Sequence, residues 1–217
     1  MSHLEITRLT TKNYNRVFLG ITRSLRRDGT TPDNLAKLLA EQSGDSTEWP
    51  SDERFAEAWR TQHAYQLLNN PKIVHVLKRL SDTYLNDKSE SVSLDGTLTV
   101  EHILPQQWLA KWSLPDGAKG MTLEELLMAS KDDPRAKASR NRDKLLQTFG
   151  NLTILTQALN SSVSNSEWSV KRPELLKHSL LPINQMLHDV PQWDEAAIVK
   201  RSHDLLARAL RVWPRHV

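Results

Sequence analysis

Four polar residues have the types and spacing to do chemistry together: Glu101, His102, Asn151 and Asn160. An imidazole ionises near neutrality, so His102 in its neutral form can take a proton at physiological pH. Asparagine offers one acceptor oxygen and two donors, enough to tie a loop to its neighbours. Each residue also has an ordinary reading: a satisfied histidine, an exposed helix amide, a solvated strand-end carboxylate. For His102, joint placement with Pro105, Gly150-Asn151 and Asn160 argues for the sharper reading; Asn151 is structural on either reading, Glu101 is evenly balanced, and Asn165 is read as a structural cap or brace. His63, His75, His178, His188, His203 and His216 share no pairwise metal-binding spacing.

The elements that must position these residues follow from the periodicity. Leu98, Val100 and His102 alternate with Thr97, Thr99 and Glu101 after an Asp95-Gly96 turn signal, which reads as a strand ending at Pro105. NLTILT (151–156) is a second short strand, and the following QALNSSVSN turns helical. The long polar connection between the strands carries helices near 122–129 and 134–148. Upstream, residues 5–88 are helical: Thr31 and Pro32 start one helix, Ser51 caps another, and Ile73, Val74, Leu77, Leu80 and Tyr84 repeat at helical spacing in a third. No catalytic constellation is visible in that section. Downstream come a proline-interrupted helix in EWSVKRPELLKHSL and a long helix capped by Asp194. Ile198, Leu205, Leu206, Ala209, Leu210 and Trp213 share one stripe of the latter. The seven tryptophans are expected in the core.

Composition narrows the classes. The chain has 217 residues with 38% hydrophobic and 25% charged, so a buried core is expected and wholesale disorder is not. The absence of cysteine excludes disulfide frameworks, catalytic thiols and cysteine-ligated zinc. The N-terminal residues lack a secretory apolar run, and no stretch approaches a membrane span, which points to a cytoplasmic protein. A net charge of +3 is mild, but the basic residues cluster. Lys131, Arg135, Lys137, Arg140, Arg142 and Lys144 form one group; Lys171, Arg172 and Lys177 form a second. Either group alone is an ordinary solvated face. Flanking the strands, Lys137, Arg140, Arg142, Lys144 and Lys171 become candidate contacts to a phosphate backbone.

EHILPQQW (101–108) and GNLTILTQALNSSVSN (150–165) together resemble the HNH, or ββα-metal, nuclease core. They resemble most the C-terminal nuclease domain of GmrSD-type, modification-dependent restriction endonucleases. The likeness extends to the early helices, Lys171, the Ser179 region and a closing helix between Trp193 and Trp213, and so covers most of the chain. It implies a mainly α fold with a small β-hairpin, a helical domain surrounding a ββα-metal core. The implied segments are a helical subdomain (1–90), the nuclease core with its helical insertion (91–180), and a C-terminal helical segment (181–217). It also implies a catalytic set of His102 as general base, Asn151 tying the loop between the strands, and Asn160. Glu101 and Asn160 are the implied ligands of magnesium or manganese. Asn160 stands where the family name has its last histidine, which favours a hard cation over a transition metal. Glu101 stands where aspartate is frequent, and either binds the ion or holds one of its waters. The implied partner is double-stranded DNA, with a nucleotide-hydrolysing sensor domain or subunit elsewhere. The expected activity is metal-dependent nicking in an anti-phage restriction system. The rival readings are an inactive DNA- or protein-binding module on the same scaffold and a general RNA/DNA nuclease.

Overall fold

The computed structural model describes residues 6–7, 13–44, 47–90 and 96–215. Helices α1 (Tyr14–Asp28) and α2 (Pro32–Ala40) pack on each other as a hairpin. The Thr31 side chain accepts the Asn34 N–H, and Pro32 opens α2, as the sequence predicts. Helix α3 (Asp52–Thr61) begins at Ser51, whose side chain accepts the Arg54 N–H, with Asp52 and Glu53 on the favourable end of the helix dipole. A single turn, α4 (Ala64–Leu67), leads to α5 (Asn70–Asp82), capped by Asn69.

Strand β1 (Leu98–His102) runs antiparallel to β2 (Leu152–Thr156), from Leu98 opposite Thr156 to His102 opposite Leu152. Asp95 of the expected turn lies outside the described residues, while Gly96 adopts a φ of 111°. The strands are joined by a long excursion through α6 (Leu123–Met128) and α7 (Pro134–Leu146), which ends in a 3-10 turn at Phe149–Asn151. After β2 come α8 (Gln157–Val163), α9 (Trp168–His178), α10 (Pro182–Gln185) and α11 (Glu195–Val212). Helix α9 continues through Pro173 where an interruption is expected from the sequence. The molecule is mainly helical with one small antiparallel sheet. No described helix is long and apolar enough to cross a membrane.

The sheet separates two cores because strand side chains alternate between its faces. Leu152 and Ile154 join Phe55, Trp59, Ile73, Leu77, Leu80, Leu205 and Leu206 on one face. Leu155 joins Ile103, Leu104, Trp108, Leu159, Trp168, Leu175, Trp193 and Ile198 on the other. Trp59 stacks on Phe149 with centroids 4.2 Å apart and donates its indole N–H to the Ser202 carbonyl. Burying each large apolar side chain contributes roughly 2–3 kcal/mol of transfer free energy. Residues from α3, α5, the strand-connecting turn and α11 therefore share one interior, and β1 and β2 are held between fixed layers.

Candidate active site

The end of β1 is fixed by a polar clamp. Asn151 is fully buried, and its side chain makes four hydrogen bonds. Its Oδ1 accepts the Leu104 N–H at 2.8 Å and the Trp193 indole N–H at 3.1 Å. Its Nδ2 donates to the Leu104 carbonyl at 2.8 Å and the Leu146 carbonyl at 3.1 Å. An asparagine amide has two acceptor and two donor positions, so this one is saturated. Asn151 acts as a structural tie holding the chain after His102 against the turn before β2.

The turn itself needs Gly150. A Cβ there would fall well inside the contact distance of the Ile198 carbonyl oxygen, so α11 can approach only a glycine. From α11, Arg201 Nη1 donates to the carbonyls of Phe149, Gly150 and Leu152, at 3.2, 2.8 and 2.8 Å. Burial draws that guanidinium down to about 10. Behind β2, Asn184 donates to the Ile154 carbonyl and the Ser179 hydroxyl, and its Oδ1 accepts the Thr153 hydroxyl.

His102 is 6% exposed and lies against the edge of the Tyr65 ring, centroids 4.5 Å apart. Its Nε2 sits 3.3 Å from Gln147 Oε1, and its Nδ1 3.5 Å from Gln106 Nε2. The amide oxygen can only accept, so Nε2 carries the proton and Nδ1 the lone pair. Desolvation lowers the imidazole to about 4, against a weaker upward pull from the Gln147 hydrogen bond, so the ring is neutral at pH 7.

Glu101 faces the other side of the strand. Its Oε1 accepts a hydrogen bond from Lys171 Nζ at 2.7 Å, and the same ammonium donates to the His102 carbonyl at 3.0 Å. Lys171 is completely buried, and the Glu101 side chain is 12% exposed. Burial pushes the carboxyl upward and the ammonium downward, while their mutual attraction opposes both shifts. Asn160, on α8, reaches the same face of β1: Nδ2 donates to Thr99 Oγ1 at 2.9 Å and to the Val100 carbonyl at 3.3 Å. Its Oδ1 receives no hydrogen bond among the described residues. Glu101 and Asn160 thus share a face, and His102 projects from the opposite one at the strand's last residue.

Glu101 and Asn160 place one carboxylate and one amide oxygen on that face, the donor types a hard divalent cation takes, with Glu101 Oε1 held by Lys171 Nζ. No three of His, Cys, Asp and Glu cluster as a metal site among the described residues.

The basic candidates divide. Lys137 and Lys144 are exposed, the former paired with Asp132 at 2.9 Å; Arg140 reaches back to the Leu126 carbonyl at 2.7 Å. Arg142 and Lys171 correct the sequence reading, because neither is free to meet a phosphate. Arg142 is 1% exposed, bidentate to Glu195, bonded to the Trp112 and Ser113 carbonyls, and stacked over Trp108. Lys171 is consumed by Glu101 and the His102 carbonyl. Four further residues of the site escape the sequence reading: Tyr65, Gln106, Gln147 and Arg201. Gln106 alone carries a local signal, four residues after His102; the other three come from turns and helices distant in sequence. Asn165 donates to Gln107 Oε1 at 3.3 Å, an exposed contact.

In fold and site this is a helical protein organised around one ββα unit, whose strand end carries a neutral imidazole and a buried carboxylate. Residues 49–208 match the family model of the GmrSD restriction endonucleases, C-terminal domain, and the chain belongs to that family. Searches of curated proteins and of solved structures returned no match.

Proposed function

We propose that the chain is a metal-dependent DNA endonuclease domain of the HNH type, nicking one strand as the effector of a restriction system. The observation carrying this reading is His102, buried in its neutral form with Nε2 directed at Gln147, at a strand end clamped by Asn151. In that state Nδ1 can take a proton from water at neutral pH. An approaching anionic phosphate raises the imidazole's proton affinity as the reaction proceeds, which offsets the low basicity conferred by burial. Gln147 holds the tautomer, and Tyr65 holds the ring plane. Gln106, exposed beside Nδ1, is the group that yields to the incoming water. Glu101 and Asn160 would hold magnesium or manganese from the other face. Bound there, the cation supplies Lewis-acid stabilisation of the phosphate and of the leaving 3′ oxygen. On this reading the phosphodiester would lie across the end of β1, reaching His102 on one face and Glu101 and Asn160 on the other. Lys171 keeps Glu101 ionised in a dry setting and fixes the His102 carbonyl. Lys137, Arg140 and Lys144 on α7 are the remaining candidates for backbone contacts. The sensor function of such a system would reside in a partner domain or subunit.

The experiment is incubation of the purified chain with supercoiled plasmid and magnesium or manganese, beside EDTA and beside linear duplex and RNA. Conversion to open circles with metal alone supports the reading. The Glu101–Lys171 pair favours one alternative, a non-catalytic DNA- or protein-binding module in which the lysine stands permanently in for a cation. DNA binding that is indifferent to metal, with every plasmid left intact, would establish that alternative. Cleavage of RNA as readily as DNA would make the protein a general nuclease.

A further inference from the structure

Helix α1 carries a second feature that the site does not use. Arg16, Arg23, Arg26 and Arg27 are all exposed, against Asp28 as the helix's lone acid. At 100° per residue, Arg16, Arg23 and Arg27 fall on one stripe, with Arg26 and Leu19 beside it. The opposite side holds buried Ile21 and half-buried Tyr14, Val17 and Leu25, the side on which α1 packs. Arg27 is paired with Asp28 at 2.8 Å; Arg16, Arg23 and Arg26 have no acidic partner among the described residues.

Helix stability does not account for this arrangement. Arg26 and Arg27 suit the C-terminal end of the dipole, but Arg16 lies in the first turn, where a cation is disfavoured and no acid is present. Arg23 stands three and four residues from Arg26 and Arg27, spacings at which like charges repel. Solubility does not account for it either, because a solubilising surface intersperses both signs, and here Leu19 is 59% exposed beside the arginines. The hairpin of α1 and α2 also precedes residue 49, where the family match begins.

We infer that the α1 arginine face is a docking surface for the phosphate backbone of duplex DNA, separate from the candidate active site. From Arg16 to Arg26 the guanidinium stems span about 15 Å of helix axis, a length over which one DNA strand presents about four phosphates. Arginine suits the task because its planar fork pairs with phosphate oxygens in two places at once. The surface gives affinity without sequence preference and holds the duplex while the strand end acts on it. This partner assignment rests on the nuclease reading, but binding can be measured without cleavage.

The test is titration of a labelled DNA duplex with the full chain in EDTA, across a series of salt concentrations. The Arg16→Gln/Arg23→Gln/Arg26→Gln variant is compared with the wild type and with Arg60→Gln/Arg79→Gln/Lys200→Gln, which removes three charges from the family-matched body. Each lost phosphate contact lowers the log–log salt slope by about 0.9, so the α1 variant should lose about two to three units of slope and bind at least tenfold more weakly. The body variant should change much less, and circular dichroism should be the same for all three. Equal losses in the two variants would overturn the inference, since net charge alone would then be responsible. An α1 variant that binds DNA like the wild type but releases vesicles of phosphatidylglycerol would also overturn it, in favour of a membrane surface. If wild-type plasmid cleavage fails while the α1 dependence holds, the nuclease reading falls and this surface stands.

Discussion

Replacing Lys171 with methionine keeps most of the side-chain volume and removes the charge. In the native protein its ammonium is completely buried, 2.7 Å from Glu101 Oε1 and 3.0 Å from the His102 carbonyl. The substitution leaves a carboxylate with 12% exposure and no compensating cation, and a buried carbonyl without its donor. Breaking one side of a buried ion pair costs about 3–5 kcal/mol, more than an exposed pair by an order of magnitude. For a chain of this size that corresponds to a fall in Tm of roughly 6–20 °C. Adding Glu101→Gln removes the stranded charge, so the double variant should recover much of the loss. A double-mutant cycle by urea denaturation should return a coupling of about 2–3 kcal/mol. Strictly additive single and double variants, or a Lys171→Met protein as stable as the wild type, would refute the argument that the pair is desolvated and mutually dependent. Divalent metal gives an independent reading: the Glu101→Gln proteins should lose metal-dependent cleavage even where stability returns.

Three other outcomes follow from the same geometry. Asn151→Ala leaves the Leu104 N–H and carbonyl, the Leu146 carbonyl and the Trp193 N–H unpaired in the interior; at about 1 kcal/mol per bond, denaturation should show a loss of about 4 kcal/mol. Gly150→Ala drives a methyl into the Ile198 carbonyl and should cost about 1–3 kcal/mol by overpacking, with Tm falling and no loss of net charge or metal affinity. His102 makes stability depend on pH: its folded value of about 4 lies below the ordinary 6.5, so between them the unfolded chain binds a proton that the folded chain refuses. Stability present above pH 6.5 is therefore lost as the pH falls towards 4, by about 2 kcal/mol at pH 5. The His102→Gln variant should lack that part of the slope; an identical acid loss in both proteins would mean that the imidazole is not desolvated.

Legibility of the fold from sequence followed the strength of local signals. Thr31-Pro32, Ser51 and Asp194 each combine a side-chain acceptor with a helical apolar stripe, and all three helices start where those residues say. The strands were legible from alternation around Val100 and from NLTILT, although short, because each strand supplies both faces of the interior. At the site, the residues readable in advance are those inside the two matching segments. Tyr65 was hidden because α4 is a single turn with no periodicity, and it meets His102 only through tertiary packing. Gln147 and Arg201 act through one atom each on distant backbone or ring positions, and nothing in their neighbours marks that. Arg142 misled for a related reason: a basic run looks solvated in sequence, but here Glu195, more than fifty residues away, takes one member inside.

The central claim is that His102 is the general base, and the direct measurement is the single-turnover nicking rate of His102→Ala against the wild type. Both should be assayed with saturating protein on supercoiled plasmid in magnesium, after each has been shown to bind the duplex equally in EDTA. The account predicts metal-dependent nicking in the wild type and a loss of about 10²-fold or more in the variant, with binding unchanged. Nicking that persists in His102→Ala at the wild-type rate would contradict it and place the proton acceptor elsewhere.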